Sequence, residues 1–484
     1  VQESKAAGDW GQIVFYDSSV DASYDGGDYA SGSILEYCTV EYGSGILLSK
    51  GNPFINQSTI RYHSDSGIRA DSYDYGNSTV RLKITNNAIT NNTSSNYGGG
   101  ISLYWYAVNA VVISGNTISN NIGTEGGGIK SNVLSAIISD NTIENNKTGR
   151  YESYDGSFRI DGKGGGIYVS DGSAQVLSNI IKGNQAQKGG GIAGKGTITG
   201  NTIIGNTASE TGGGYYATQG SSGTFSDNYV LDNGGNFAIY GSDFSVTGNI
   251  IAGNYKALGH EGSNNSTVSV SNNIMFNNTG SPVVYLYSGA VSSYTTDNEG
   301  NSVTVYSTGL EVKNNTIVGN SGGLSLKGSI VLNNNNIYDN GGTYELENRN
   351  ELGADDLNIE NNYWGTSDAS AIATKVYDWN DDDSLGFVDY TPHETALITS
   401  NPIAPTSGVS GQAGATTMQL SWTANAESDI AGYKVYYDTD GSGYPYANSV
   451  STGSTGNSYT LTGLSTGTTY YVAVAAVDSD GNES

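Results

Sequence analysis

The chain has one cysteine, Cys38, so no disulfide can form within its 484 residues. Its three histidines, at 63, 260 and 393, are far apart and follow no metal-ligand spacing. Neither a His-Glu-x-x-His run nor a paired-cysteine motif occurs. Lysine and arginine number 20 against 47 acidic residues, giving a net charge of −27. Such a chain repels a polyanion, which argues against nucleic acid as a partner. No apolar run reaches the roughly 18 residues that a membrane-spanning helix needs. The chain opens at Val1 without Met or a signal peptide, and reads as a mature or trimmed fragment. With so few cysteines and charges and so much Gly, Asn and Ser, it fits a secreted microbial protein, held by stacking in place of disulfides.

What is abundant is periodic. Ten times an Asn is followed two residues on by an apolar residue and three further on by another Asn. The copies begin at Asn87, Asn116, Asn141, Asn179, Asn201, Asn228, Asn249, Asn273, Asn315 and Asn335. Most gaps run from 20 to 29 residues, the period of stacked units and not of one folded ball. An apolar residue with polar neighbours is strand alternation. Asn suits the bend that ends a short strand because it tolerates left-handed backbone, and its amides can bond from layer to layer. A second signal follows several copies: Gly98-Gly99-Gly100-Ile101, Gly126-Gly127-Gly128-Ile129, Gly164-Gly165-Gly166-Ile167, Gly189-Gly190-Gly191-Ile192 and Gly212-Gly213-Gly214-Tyr215. One unit therefore holds two or three short strands separated by tight bends. Cys38-Thr39-Val40, Ser58-Thr59-Ile60, Ser292–Asp297 and Asn362-Tyr363-Trp364 are expected to add further rungs. The Asn141–Asn179 gap reads as one coil with a loop inserted from Lys147 to Lys163.

These Asn-Asn-x-Ile and Gly-Gly-Gly-Ile repeats resemble the right-handed parallel β-helix proteins of microbial surfaces. The glycine-rich half also resembles the repeats of bacterial polymorphic surface autotransporters. Asp9-Trp10-Gly11-Gln12-Ile13 with Leu35-Glu36-Tyr37 resembles an early coil, and Asn361–Thr366 a closing one. The resemblance implies an all-β fold over residues 1–398, a right-handed parallel β-helix, or solenoid, of about 13–14 coils. It is specific for fold and weak for function, since the scaffold carries lyases, hydrolases, epimerases, adhesins and structural proteins.

After Trp364 the pattern changes. Residues 366–398 read as a capping segment, with Ser367-Asp368 starting a helix through Ala369–Tyr377 that turns Ile372 and Val376 inward. Residues 399–404 read as a linker ending at Pro402 and Pro405. Beyond it, Leu420-Ser421-Trp422, Thr460–Leu464 and Thr469–Val477 resemble a fibronectin type III domain, a small C-terminal β-sandwich over 399–484 with Trp422 in its core. That family has one more strand than the chain provides after Asp478–Asn482. Both ends therefore read as cut, or as completed by neighbouring copies packed end to end.

The search for chemistry leaves three patches. Arg150, Arg159, Lys163, Lys182, Lys188 and Lys195 form a basic cluster in an acidic chain, with Tyr151, Tyr154 and Phe158 interleaved. Cations for carboxylates and rings for sugar faces suit an acidic polysaccharide, and Tyr104-Trp105 could extend the platform. The alternative is a solvated loop whose positive charges offset nearby acids. Asp378, Asp381, Asp382 and Asp383 form an acidic run, read as a solvated loop or a calcium site. Glu36 with Glu41, and Asp140 with Glu144, are the pairs a hydrolase on this scaffold would use. Gly-x-Ser-x-Gly occurs around Ser321 and Ser465, neither at a strand-to-helix elbow. The leading reading is an extracellular or cell-surface adhesive or structural protein, a filament or sheath subunit among the options, with no catalytic role. The alternative is a lyase or hydrolase acting on an acidic glycan, or a glycan-binding protein, with the basic loop as its site.

Overall fold

The structure, a computed structural model, describes residues 5–72, 82–105, 111–133, 135–151, 158–218, 223–262, 268–287, 291–296, 302–306, 309–353, 357–441 and 443–484. Three long parallel sheets wind around one core. The first has 14 strands, from Ile13–Tyr16 to Val376–Tyr377. The second and third have 12 each, ending at Ile330–Asn333 and Asn336–Tyr338. The register is strict, so like sits on like from coil to coil. In the third sheet Ile60, Ile89, Ile118, Ile143, Ile181 and Ile203 form one column, and all are fully buried. Each such residue contributes about 1.5–3 kcal/mol when withdrawn from water, and β-branching suits the pleat.

The bends at the two edges of the third sheet divide their work between two consecutive residues. The motif Asn does not itself adopt the left-handed conformation; its predecessor does. Asn86, Asn91, Asn120 and Asn145 have φ of 57°, 56°, 57° and 56°, and Gly115 and Gly183 fill the same positions at 66° and 64°. The next residue then points inward. Asn116 donates both its backbone N–H and its Nδ2 to Asn141 Oδ1 at 2.9 Å, and Nδ2 also reaches Ile84 O. This geometry recurs from Asn87 through every motif copy to Asn362. A second ladder runs from Asn92 through Asn121, Asn146, Asn184, Asn206, Asn233, Asn254, Asn278 and Asn320 to Asn340.

Other residues finish the ladders. At one end Ser58 N–H donates to Asn87 and Ser58 Oγ accepts from Cys38 N–H. His63 N–H donates to Asn92, and its Nδ1 accepts from Gly43 N–H at 3.1 Å. At the other end the buried Glu345 carboxylate accepts both donors of Asn340. The glycine triplets allow coils to touch backbone to backbone: a Cβ on Gly127 would lie 2.5 Å from Gly165 O.

Among the described residues three segments leave the stack as antiparallel hairpins, the first pairing Ser23–Asp25 with Asp28–Ser31, and two of them are insertions between later coils. One pairs Arg150–Tyr151 with Phe158–Arg159. The other pairs Val291–Thr296 with Ser302–Tyr306. Ser292–Thr296 is therefore not a rung; Asn273 bonds directly to Asn315 across the gap. Local pairing satisfies that backbone before a distant coil can. Asp297 lies outside the described residues.

The expected C-terminal helix is shorter than its apolar spacing suggested. It spans Ala369–Ala373, capped by the Asp368 side chain accepting from Ser370 N–H. Val376–Tyr377 forms a strand on Leu346–Glu347, because the open sheet edge offers those β-formers partners that another helical turn would not. Ile372 and Val376 are both buried, as expected. Nor is 399–404 a free linker. Ile398 and Asn336 exchange hydrogen bonds, Asn401 Nδ2 donates to Asn334 O, and Ala404 N–H donates to Glu427. The following sandwich has two three-stranded antiparallel sheets around Leu420, Trp422, Tyr433, Val435 and Leu461.

Candidate functional site

Most outward-facing residues of a solenoid answer only to solvent. An exception is a stretch of the first sheet where, in three of four successive strands, the residue following the buried strand-starting apolar residue is aromatic. Tyr216, Tyr240 and Tyr285 occupy this position after Tyr215, Ile239 and Val284. The Tyr216 and Tyr240 rings stack within 8° of parallel, centroids 6.4 Å apart. Between Tyr240 and Tyr285 the sheet carries Gly259. Its bare backbone receives the Phe237 ring, which a Cβ there would meet at 2.7 Å. Phe237 lies 5.5 Å from Tyr240 and 6.3 Å from Tyr285. One missing side chain thus turns separate rings into an aromatic floor.

Cations surround this floor. Lys188 stands over Tyr216, Lys256 over Phe237, and Lys327 over Tyr287, at 5.4, 5.2 and 5.5 Å from the ring centres. With Arg349, Asn236, Glu210 and Pro282 they bound an open groove of 770 Å³. Lys188 pairs with Glu210 at 3.4 Å, Lys327 with Glu351 at 3.5 Å, and Arg349 with Glu347. Burial holds the Lys256 ammonium below the ordinary lysine value. Flat apolar rings bordered by long cationic donors are the chemistry that grips a sugar chain.

Of the basic cluster read from the sequence, Lys188 alone lines this groove. Lys163 bridges to Lys188 on the neighbouring coil. Arg150 and Tyr151 face Arg159 and Phe158 across the hairpin backbone. Lys182 lies on the third sheet, and Lys195 follows the first-sheet strand Ile192–Gly194, so the cluster does not share one face. Tyr154 falls outside the described residues, as do the side chains of Arg150, Tyr151 and Trp105. Tyr104 lies on the first sheet opposite Asp71, well before the groove. Phe237, Tyr240, Lys256 and Tyr285 escaped the sequence reading because they are scattered over several coils. Aligning the repeats on the apolar residue after each glycine turn exposes the tyrosines.

The acidic patches have local employment. Asp378 is buried, and accepts from Asn380 and Val388 N–H. Asp382 accepts from the Ser384 N–H and hydroxyl, which hold its carboxyl below the usual range. Asp381 accepts from Tyr344 OH, and Asp383 belongs to the same turn. Among the described residues no group of three or more His, Cys, Asp or Glu side chains converges as metal ligands. Glu41 is held low by hydrogen bonds from Lys5 and Arg61, which is the state of an ion-pair partner and not of a general acid. Glu36 accepts from Asn56. Asp140 is a left-handed corner residue, and Glu144 sits at a strand end on the third sheet.

The comparisons with known proteins agree with this architecture. Residues 157–299 match the family described as right handed beta helix region, and residues 404–484 match the fibronectin type III domain. The chain therefore carries a right-handed β-helix followed by a fibronectin type III domain, two modules that fit an extracellular or surface protein. Parallel stacking extends the β-helix on both sides of the matched segment, from Ile13 to Tyr377. Among solved structures, the crystal structure of chicken CNTN1 FN1-FN3 domains is 25% identical, with a TM-score of 0.16. That match covers 16% of this chain and 28% of the other. No curated protein matches the chain. No helix among the described residues is long and apolar enough to cross a membrane.

Proposed function

We propose that this is an extracellular adhesive β-helix protein that holds a polysaccharide along the outer face of its first sheet and performs no chemistry on it. One observation carries the reading: the Tyr240, Phe237 and Tyr285 rings line one groove together with Lys188, Lys256, Lys327 and Arg349. It supports binding because sugar faces stack on flat rings whose rigid backbone costs little further ordering. It favours binding over turnover because Glu210, the one carboxylate among the described residues lining the groove, is paired with Lys188, whereas glycoside hydrolysis uses two carboxylates flanking the scissile bond.

Binding to alginate, pectin and sulfated glycans, read together with release of reducing or unsaturated ends, tests this. We expect retention of at least one acidic polymer without new chain ends. Tyr240→Ala should weaken that retention about tenfold, the loss of one stacking platform. Steady product release would overturn the non-catalytic reading. Binding indifferent to Tyr240→Ala would remove the groove from it.

A further inference from the structure

We infer that Lys256 makes the groove selective for sugars that carry a carboxylate, residues of the uronate type, over neutral ones; this rests on the groove being a carbohydrate site. The four cations of the groove are not equivalent. Lys188, Lys327 and Arg349 each have a carboxylate of the chain beside them. Such exposed pairs are individually weak, but they leave little net charge for a ligand to meet. Among the described residues Lys256 has no carboxylate partner. Its surroundings are rings: Phe237 at 5.2 Å and Tyr255 at 5.7 Å. Their faces hold the ammonium in place without neutralising it. Partial burial already disfavours its charge, so a ligand carboxylate supplies the counter-charge that the protein withholds.

Its position in the groove fits a saccharide repeat. Tyr240 and Tyr285 are separated by the one strand that carries Gly259, which places them roughly 10 Å apart. A sugar stacked on each leaves one unit between them, beside Lys256, whose ammonium covers the buried Phe237 ring. Gly259 is what leaves room for the Phe237 ring beneath the ammonium, since a Cβ there would meet that ring at 2.7 Å.

Oligogalacturonate and its fully methyl-esterified counterpart share one backbone and differ in charge. The wild-type protein should bind the charged form about tenfold more tightly. Lys256→Met keeps an unbranched stem over Phe237 and removes the charge. It should abolish the preference, and Lys256→Arg should restore it. Unchanged melting temperatures would show that each variant folds. A Lys256→Met protein that keeps the preference overturns this inference alone. Binding of both forms that ignores Tyr240→Ala overturns the carbohydrate groove itself. Failure of the wild type to bind either form overturns the uronate assignment.

Discussion

Asn206 and Tyr216 sit ten positions apart in one coil, and opposite constraints govern them. Asn206 is a corner residue, wholly buried between Asn184 and Asn233, and every polar atom of its side chain is bonded. Tyr216 stands on the outer face of the first sheet, with Ala193 on one side and Tyr240 on the other. A corner side chain must answer to the coils above and below, so the same amide recurs without variation. The outer positions need only be compatible with a strand, so they read Lys130, Tyr168, Ala193, Tyr216, Tyr240, Gly259 and Tyr285 along the stack. In this molecule regularity marks the scaffold, and the run of outward rings marks the proposed site.

The largest test of that contrast is Asn206→Ala. It strands two donors of Asn184 together with Ile181 O, and should cost about 3 kcal/mol in urea unfolding, since each buried polar group left without a partner costs ~1–3 kcal/mol. Tyr240→Ala, on the outer face, should leave the midpoint nearly unchanged while it impairs binding. Comparable destabilisation by the two would break the comparison.

The ladder's histidine end gives a smaller, pH-dependent effect. Burial keeps His63 below its ordinary pKa, and its Nδ1 must stay unprotonated to accept from Gly43. The unfolded chain takes up a proton first as pH falls, so the stabilisation present at neutral pH is lost through the range below about 6.5. His63→Asn would continue the amide ladder and remove that group from the titration. Melting curves from about pH 7 to about pH 5 should then flatten relative to wild type. An unaltered slope would assign it to other groups.

The smallest effect concerns the first coil, where Tyr37 occupies the left-handed corner at φ 54° and is 76% exposed. Later coils place Asn86 and Asn272 there. Tyr37→Asn should stabilise by about 1 kcal/mol, the penalty of a bulky side chain in that conformation. No gain in thermal midpoint would mean that Tyr37 makes an offsetting contact.

The fold was legible because a repeat reports it many times over. The ten motif copies marked the ladder, the inward apolar columns followed from alternation, and Trp422 located the second core. What failed were places where two local fates share one pattern. Val376 fits a helical face and a strand equally, and an open sheet edge decided the matter. Ser292–Thr296 looked like a rung, but its partner was the nearby Ser302–Tyr306. Even the Asn motif hid a division of labour, since spacing cannot say which of two adjacent residues turns the chain and which one fills it.

The sequence by itself therefore determined the solenoid, the sandwich after it and the charge balance, because these depend on local alternation and composition. The groove was decided only by the tertiary structure. Lys188, Phe237, Tyr285 and Arg349 span 162 positions of sequence, and coil-to-coil register brings them to one surface. Gly259 shows why: its effect is to make space for a ring 22 residues earlier, and nothing in its own neighbourhood states that.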